Sequence, residues 1–129
     1  MKLLLDTHAL LWWLTDDPRL AAHAKTLIAD ERHTVLVSAA SAWEIATKHR
    51  LGGLDLATAL LPRFNELIGL DGFQHLPVTY LHAIRAGGYA AEHRDPFDRM
   101  LAAQCELEAA TLLTGDSAFE KFACNTAWN

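Results

Sequence analysis

The chain has 129 residues, 51% hydrophobic and 21% charged, with a formal net charge of −5. That length suits one compact domain and is too short for two ordinary ones. The acidity excludes a protein that coats nucleic acid by charge alone, but not a nuclease, whose metal site needs clustered carboxylates and only local basic residues.

"KLLLDTH", residues 2–8, opens with a short apolar run ended by an acid, which predicts a buried strand leading into a loop or helix. Asp6 and His8 interrupt that run and no small-residue cleavage site follows, so a signal peptide is not expected here. "ALLWWL" continues as a helix until Asp16-Asp17-Pro18 breaks it, and Asp17 is expected to cap the next helix with Pro18 at its first position. That helix runs through "RLAAHAKTLIADE", and "TVLVS", residues 34–38, is a second strand. Ser38 or Ser41 can cap the helix "SAWEIATKHRLG", which ends at Gly52-Gly53.

"LATALLPRFNELIGL", residues 56–70, reads as helix kinked or restarted at Pro62. "FQHLPV", residues 73–78, is a weak strand and "TYLHAIRAGGY" a short helix ending near Gly87-Gly88. "PFDRMLAAQCELEA" is a strong helix, "TLLTGD", residues 111–116, a fourth strand, and a last short strand is expected around residues 122–126. Strands alternating with helices predict an α/β/α sandwich with a mainly parallel sheet of four to five strands, in a single domain over residues 1–129. The two cysteines, Cys105 and Cys124, have no C-x-x-C spacing. A reducing cytoplasm is therefore the expected compartment. No apolar run approaches the roughly 20 residues that span a bilayer.

Ligands of open parallel sheets bind beyond the carboxyl ends of the strands. Asp6 and Asp116 follow strands, Asp98 lies in the first turn of its helix, and Glu44 lies in the helix after the second strand. In a parallel sheet all four can reach one rim. Each also has an ordinary reading: Asp6 and Asp116 as helix caps, Glu44 as a solvated helix acid, and Asp98 as the reciprocal acid of a cap formed by Asp95. Clustered carboxylates without a histidine–cysteine set point to a hard divalent ion such as Mg²⁺, with Mn²⁺ able to substitute.

The stretches "LLLDTHALLWWL", "SAASAWEIATKHRLGGLDL", "HRDPFDRMLAAQ" and "LLTGD" together resemble PIN-domain ribonucleases, specifically the VapC-like toxins of toxin–antitoxin pairs. The resemblance runs in order from Asp6 to Asp116. It implies a PIN-like fold, Mg²⁺-dependent endoribonuclease activity, an RNA substrate, a cognate antitoxin and a homodimer. By position it assigns Asp6, Glu44, Asp98 and Asp116 to catalysis and metal binding, with Asp6 and Asp98 the chief ligands. Thr114 matches a hydroxyl that orients a water or a carboxylate, and Asp95 supports its helix.

Arg94 and Arg99 are candidates to touch RNA phosphates, as are Lys48 and Arg50, for which a solvated charge or a partner for an acid is the favoured reading. Trp12 and Trp13 suit either base stacking or, preferably, packing and a protein interface. Two other functions fit parts of the pattern. A haloacid-dehalogenase-like phosphatase also places an aspartate after a strand, but wants a second aspartate where this chain has His8. A non-catalytic binding module would not need the four acids.

Overall fold

In the computed structural model, which describes residues 1–55 and 57–129, five strands form one sheet in the order β3-β2-β1-β4-β5, with every neighbouring pair parallel. They are β1 (Lys2–Leu5), β2 (Thr34–Ser38), β3 (Gln74–Leu76), β4 (Thr111–Leu113) and β5 (Asn125–Ala127). β1 is central. Its unbroken leucine run fits a parallel strand covered on both faces.

Side chains alternate across the pleat. Leu3, Leu5, Val35, Val37 and Leu113 belong to one buried cluster, and Leu4, Leu36, Leu76 and Leu112 to another. The first is covered by α1 (Thr7–Leu14), α2 (Ala22–Ala29) and α5 (Phe64–Leu70) through Leu10, Ala24, Ile28 and Ile68. The second is covered by Leu101, Ala102 and Cys105 of α7 (Pro96–Leu107), with Phe119 and Phe122. Each fully buried leucine contributes about 2 kcal/mol by leaving water. Two apolar faces, each under its own helices, make the expected α/β/α sandwich. Among the described residues no helix is long and apolar enough to cross a membrane.

The chain between these layers mostly follows its local signals. Ser38 caps α3 (Ala39–Arg50), accepting the Ala40 N–H at 3.0 Å. Gly52, at φ +83°, ends that helix in a left-handed turn that a side chain rarely adopts. Around Pro62 the helix divides into α4 (Ala57–Leu60), a 3-10 turn at Leu61–Arg63, and α5; Leu56 lies outside the described residues. Thr79 caps α6 (Tyr80–Gly88) reciprocally with His82.

Two expectations need correction. α2 begins at Ala22 behind Ala21, which makes no side-chain cap, and Asp17 is not its cap. The Asp17 carboxylate instead accepts the Arg19 N–H at 2.9 Å and pairs with its guanidinium at 2.8 Å, closing a turn before the helix begins. The last strand lies at Asn125–Ala127 and not around residues 122–126, because Phe122 is drawn into the core beneath the sheet.

Candidate active site

At the carboxyl end of the sheet the acids fall into two pairs, Asp6 with Asp116 and Glu44 with Asp98, joined by short links rather than forming one closed cage. Asp6 is the residue after β1, and its N–H donates to the Leu113 carbonyl of β4 at 3.1 Å. That bond brings Asp6 beside the turn carrying Thr114 and Asp116. The buried Thr114 hydroxyl donates to the Asp6 carboxylate and accepts the Asp116 N–H at 3.1 Å. On the other side, the Thr7 hydroxyl donates to Glu44 Oε1 at 2.6 Å, with Ser41 Oγ 3.1 Å away. Glu44 in turn lies close enough to Asp98 for its charge to be felt there. Two threonines thus join Asp116 to Asp6 and, through the backbone, Asp6 to Glu44.

The charges are unevenly balanced. Glu44 is only 3% exposed and is paired with Lys48 at 2.5 Å, one helical turn on. Asp6 is 6% exposed, and no ion pair among the described residues includes it. Burial pushes its carboxyl above the ordinary value, and the negative charge of Asp116 adds to this; hydrogen bonds from Thr114 and Ala9 and the nearby His8 act the other way. Burial also raises Asp98, helped by Asp95 and Glu44, while a hydrogen bond from His93 at 2.8 Å opposes the rise. A buried acid without a counter-charge beside other acids is short of positive charge. The all-oxygen donor set suits a hard divalent cation. Among the described residues, however, no three histidine, cysteine or acidic side chains lie close enough to enclose an ion as they stand.

The helix-cap readings hold as well. Asp6 accepts the Ala9 N–H at 2.7 Å at the start of α1, and Asp116 accepts the Ala118 N–H at 2.9 Å. Asp95 caps α7 through the N–H groups of Phe97 and Asp98. Asp98 does not reciprocate that cap in the described contacts; its Oδ2 meets His93 instead.

The basic and aromatic candidates divide. Lys48 is the partner of Glu44, and Arg50 and Arg94 are exposed. Arg99 is corrected as a phosphate contact. Its three nitrogens donate to the carbonyls of Ala86, Gly87, Tyr89, Ala91 and His93 at 2.7–3.5 Å, so its fork is committed to holding the preceding loop. Trp12 packs between His8 and Trp128, at 5.5 and 5.9 Å between ring centroids. Trp13 packs on Phe73 and donates to Asp71 at 3.0 Å. Both tryptophans therefore serve packing within the chain.

Sequence reasoning missed Thr7 and His93. Thr7 had a signal in standing directly after the first acid. His93 had none in periodicity, because it reaches Asp98 from a loop.

Comparison with known proteins bears on the fold and the family. A 41-residue segment is 54% identical to ribonuclease VapC16 of Mycobacterium tuberculosis (strain ATCC 25618 / H37Rv), covering 29% of this chain and 29% of that relative. The fold matches VapBC2 from Rickettsia felis bound to a DNA fragment from their promoter, with TM-score 0.73, 14% identity and 100% of both chains covered. It also matches FitAcB from Neisseria gonorrhoeae, with TM-score 0.68 and 24% identity over 98% of this chain and 96% of that one. The PIN domain family model aligns with residues 3–124, a span that runs from the central strand through all four acids, and on that match the chain belongs to the PIN domain family.

Proposed function

We propose that this chain, as a single nuclease domain over residues 1–129, is a metal-dependent endoribonuclease and the toxin of a toxin–antitoxin pair. The observation that supports it most is Asp6: a buried carboxylate without an ion pair among the described residues, joined by Thr114 to Asp116 and next to Thr7, which holds Glu44. Asp6 and Asp98 are the proposed ligands of Mg²⁺, or of Mn²⁺ in its place, with Glu44 and Asp116 completing the set directly or through water. A divalent cation bound there supplies the charge that activates a water and stabilises a leaving oxygen in phosphodiester hydrolysis.

The remaining groups prepare that site. Thr114 and Thr7 fix the orientations of Asp6 and Glu44, and Lys48 offsets the charge of Glu44. Arg94, which is exposed, is the proposed contact to an RNA phosphate, made without reading sequence. The VapBC and FitAB neighbours support extending the reading to a cognate antitoxin. The exposed apolar side chains Tyr80, Leu81 and Ile84 of α6 support a protein contact, which we assign to a homodimer or the antitoxin. The proposed compartment is the cytoplasm.

The test is cleavage of labelled structured RNA with Mg²⁺, with Mn²⁺ and with EDTA. The parent should cut internally only with metal. Asp6→Ala and Asp98→Ala should lose cutting while keeping the parent's circular dichroism spectrum. Cutting in EDTA, or by either variant at the parent rate, overturns the proposal.

A further inference from the structure

We propose that His93 is a positioning residue that fixes the Asp98 carboxylate, leaving the other carboxylate oxygen, Oδ1, for a cation. The inference rests on the reading of Asp98 as a metal ligand. Its geometric basis is a hydrogen bond of 2.8 Å between His93 Nε2 and Asp98 Oδ2, with both side chains less than one-fifth exposed.

Two contacts hold His93 where it meets that oxygen. Its ring stands edge-on to Phe122, with centroids 5.7 Å apart and planes at 87°. Phe122 is itself a buried member of the core beneath the sheet. The His93 backbone carbonyl accepts from Arg99 Nη1 at 3.0 Å, and the same guanidinium gathers the carbonyls of Ala86, Tyr89 and Ala91. Arg99 directly follows Asp98, so the loop presenting the imidazole is tied to the helical turn that presents the carboxylate.

This arrangement restricts a side chain that would otherwise sample several rotamers. Asp98 projects from the first turn of α7, and its own helix offers no second partner in the described contacts. Partners that orient a ligating carboxylate matter because a misplaced ligand costs metal affinity even when every ligand is present. The imidazole has no acidic partner other than Asp98 in the described contacts. The Arg99–carbonyl anchor is a backbone contact and survives any side chain at position 93.

The experiment compares His93→Phe and His93→Gln with the parent and with Asp98→Ala. Phenylalanine keeps an aromatic ring for Phe122 but offers no donor, whereas glutamine restores an N–H near the position of Nε2. Mn²⁺ affinity is read by calorimetry, RNA cleavage is read separately, and the melting temperature in EDTA reports the fold. His93→Phe should bind Mn²⁺ about 10–100-fold more weakly than the parent. His93→Gln should recover to within a few-fold, and both should melt within a few degrees of the parent in EDTA. Equal Mn²⁺ affinity in His93→Phe and the parent overturns the role of His93 alone, as does glutamine binding no better than phenylalanine. A parent that binds Mn²⁺ no better than Asp98→Ala overturns the metal-site reading and this inference with it.

Discussion

Asp6→Asn should stabilise the metal-free protein at neutral pH while abolishing its response to metal. The asparagine keeps the shape of Asp6 and an oxygen for the Ala9 N–H, now held at 2.7 Å, but removes a buried charge. The folded pKa of Asp6 is raised, chiefly by burial. The folded state therefore binds more protons than the unfolded chain across the window between the two values, and stability falls as pH rises through it. Above the folded value the full cost of the charge persists; below about 3.9, the ordinary aspartate value, it is absent. Relief by Asp6→Asn should hence be constant at high pH, shrink as pH falls through the folded value, and vanish near pH 4. The cap can be separated by a third variant. Asp6→Ala also removes the charge but loses the acceptor, at about 1 kcal/mol. For 129 residues, an unfolding entropy of about 2.1 cal/mol/K per residue makes 1 kcal/mol worth about 4 °C. Asp6→Ala should melt about 4 °C below Asp6→Asn in EDTA. Mn²⁺ at one hundred times its Kd stabilises a binding-competent fold by about 2.7 kcal/mol, or about 10 °C, and should do so only in the parent. Differential scanning fluorimetry between pH 7 and pH 4, with and without EDTA, reads every quantity. If Asp6→Asn melts no higher than the parent in EDTA at pH 7, or its advantage does not shrink towards pH 4, Asp6 carries no uncompensated charge and the argument fails.

Gly115→Ala places a methyl carbon 2.9 Å from two atoms of the Trp128 indole, which packs at a tilt against Trp12. It should cost about 1–3 kcal/mol by overpacking, with most of that loss disappearing when Trp128→Ala is already present; additive losses in chemical denaturation would show that the indole does not set the constraint. Arg99→Lys keeps the charge but cannot reach five carbonyls, so it should lose about 2 kcal/mol and speed proteolysis between residues 86 and 93. Unchanged cleavage there would mean the loop is held by other contacts.

The elements were legible where one local force dominates. The leucines of β1 and the "TVLVS" run of β2 are continuous because the centre of a parallel sheet is buried on both faces. β5 lies at the sheet edge with two of its three residues exposed, so it has no apolar run, and the nearby core residue Phe122 drew the expectation too early. Asp17 misled because two local uses of an aspartate compete, and the turn closed by Arg19 wins over the helix cap. At the candidate site, Asp6 and Asp116 stood out as acids following strands and Thr114 only through the family resemblance, while Lys48 lies at the i+4 position that pairs with Glu44 on a helix. The burial of Glu44 and the bridge from Thr7 arise only when distant segments pack, and the approach of His93 depends on the irregular path of the loop before α7. The fate of Arg99 depends on five carbonyls of an irregular loop, and a carbonyl has no sequence signature.

The central place of β1 also sets an order of assembly. β1 meets β2 after some thirty residues of chain, but its other edge waits for Leu113, whose carbonyl receives the Asp6 N–H. A growing chain still short of residue 114 can therefore build half the sheet and place Glu44 near Thr7, yet it has neither Thr114 nor Asp116 to set beside Asp6. Ribosome-bound intermediates of this length would carry an open sheet edge and lack the Thr114–Asp116 turn, so synthesis itself times when that turn first meets Asp6.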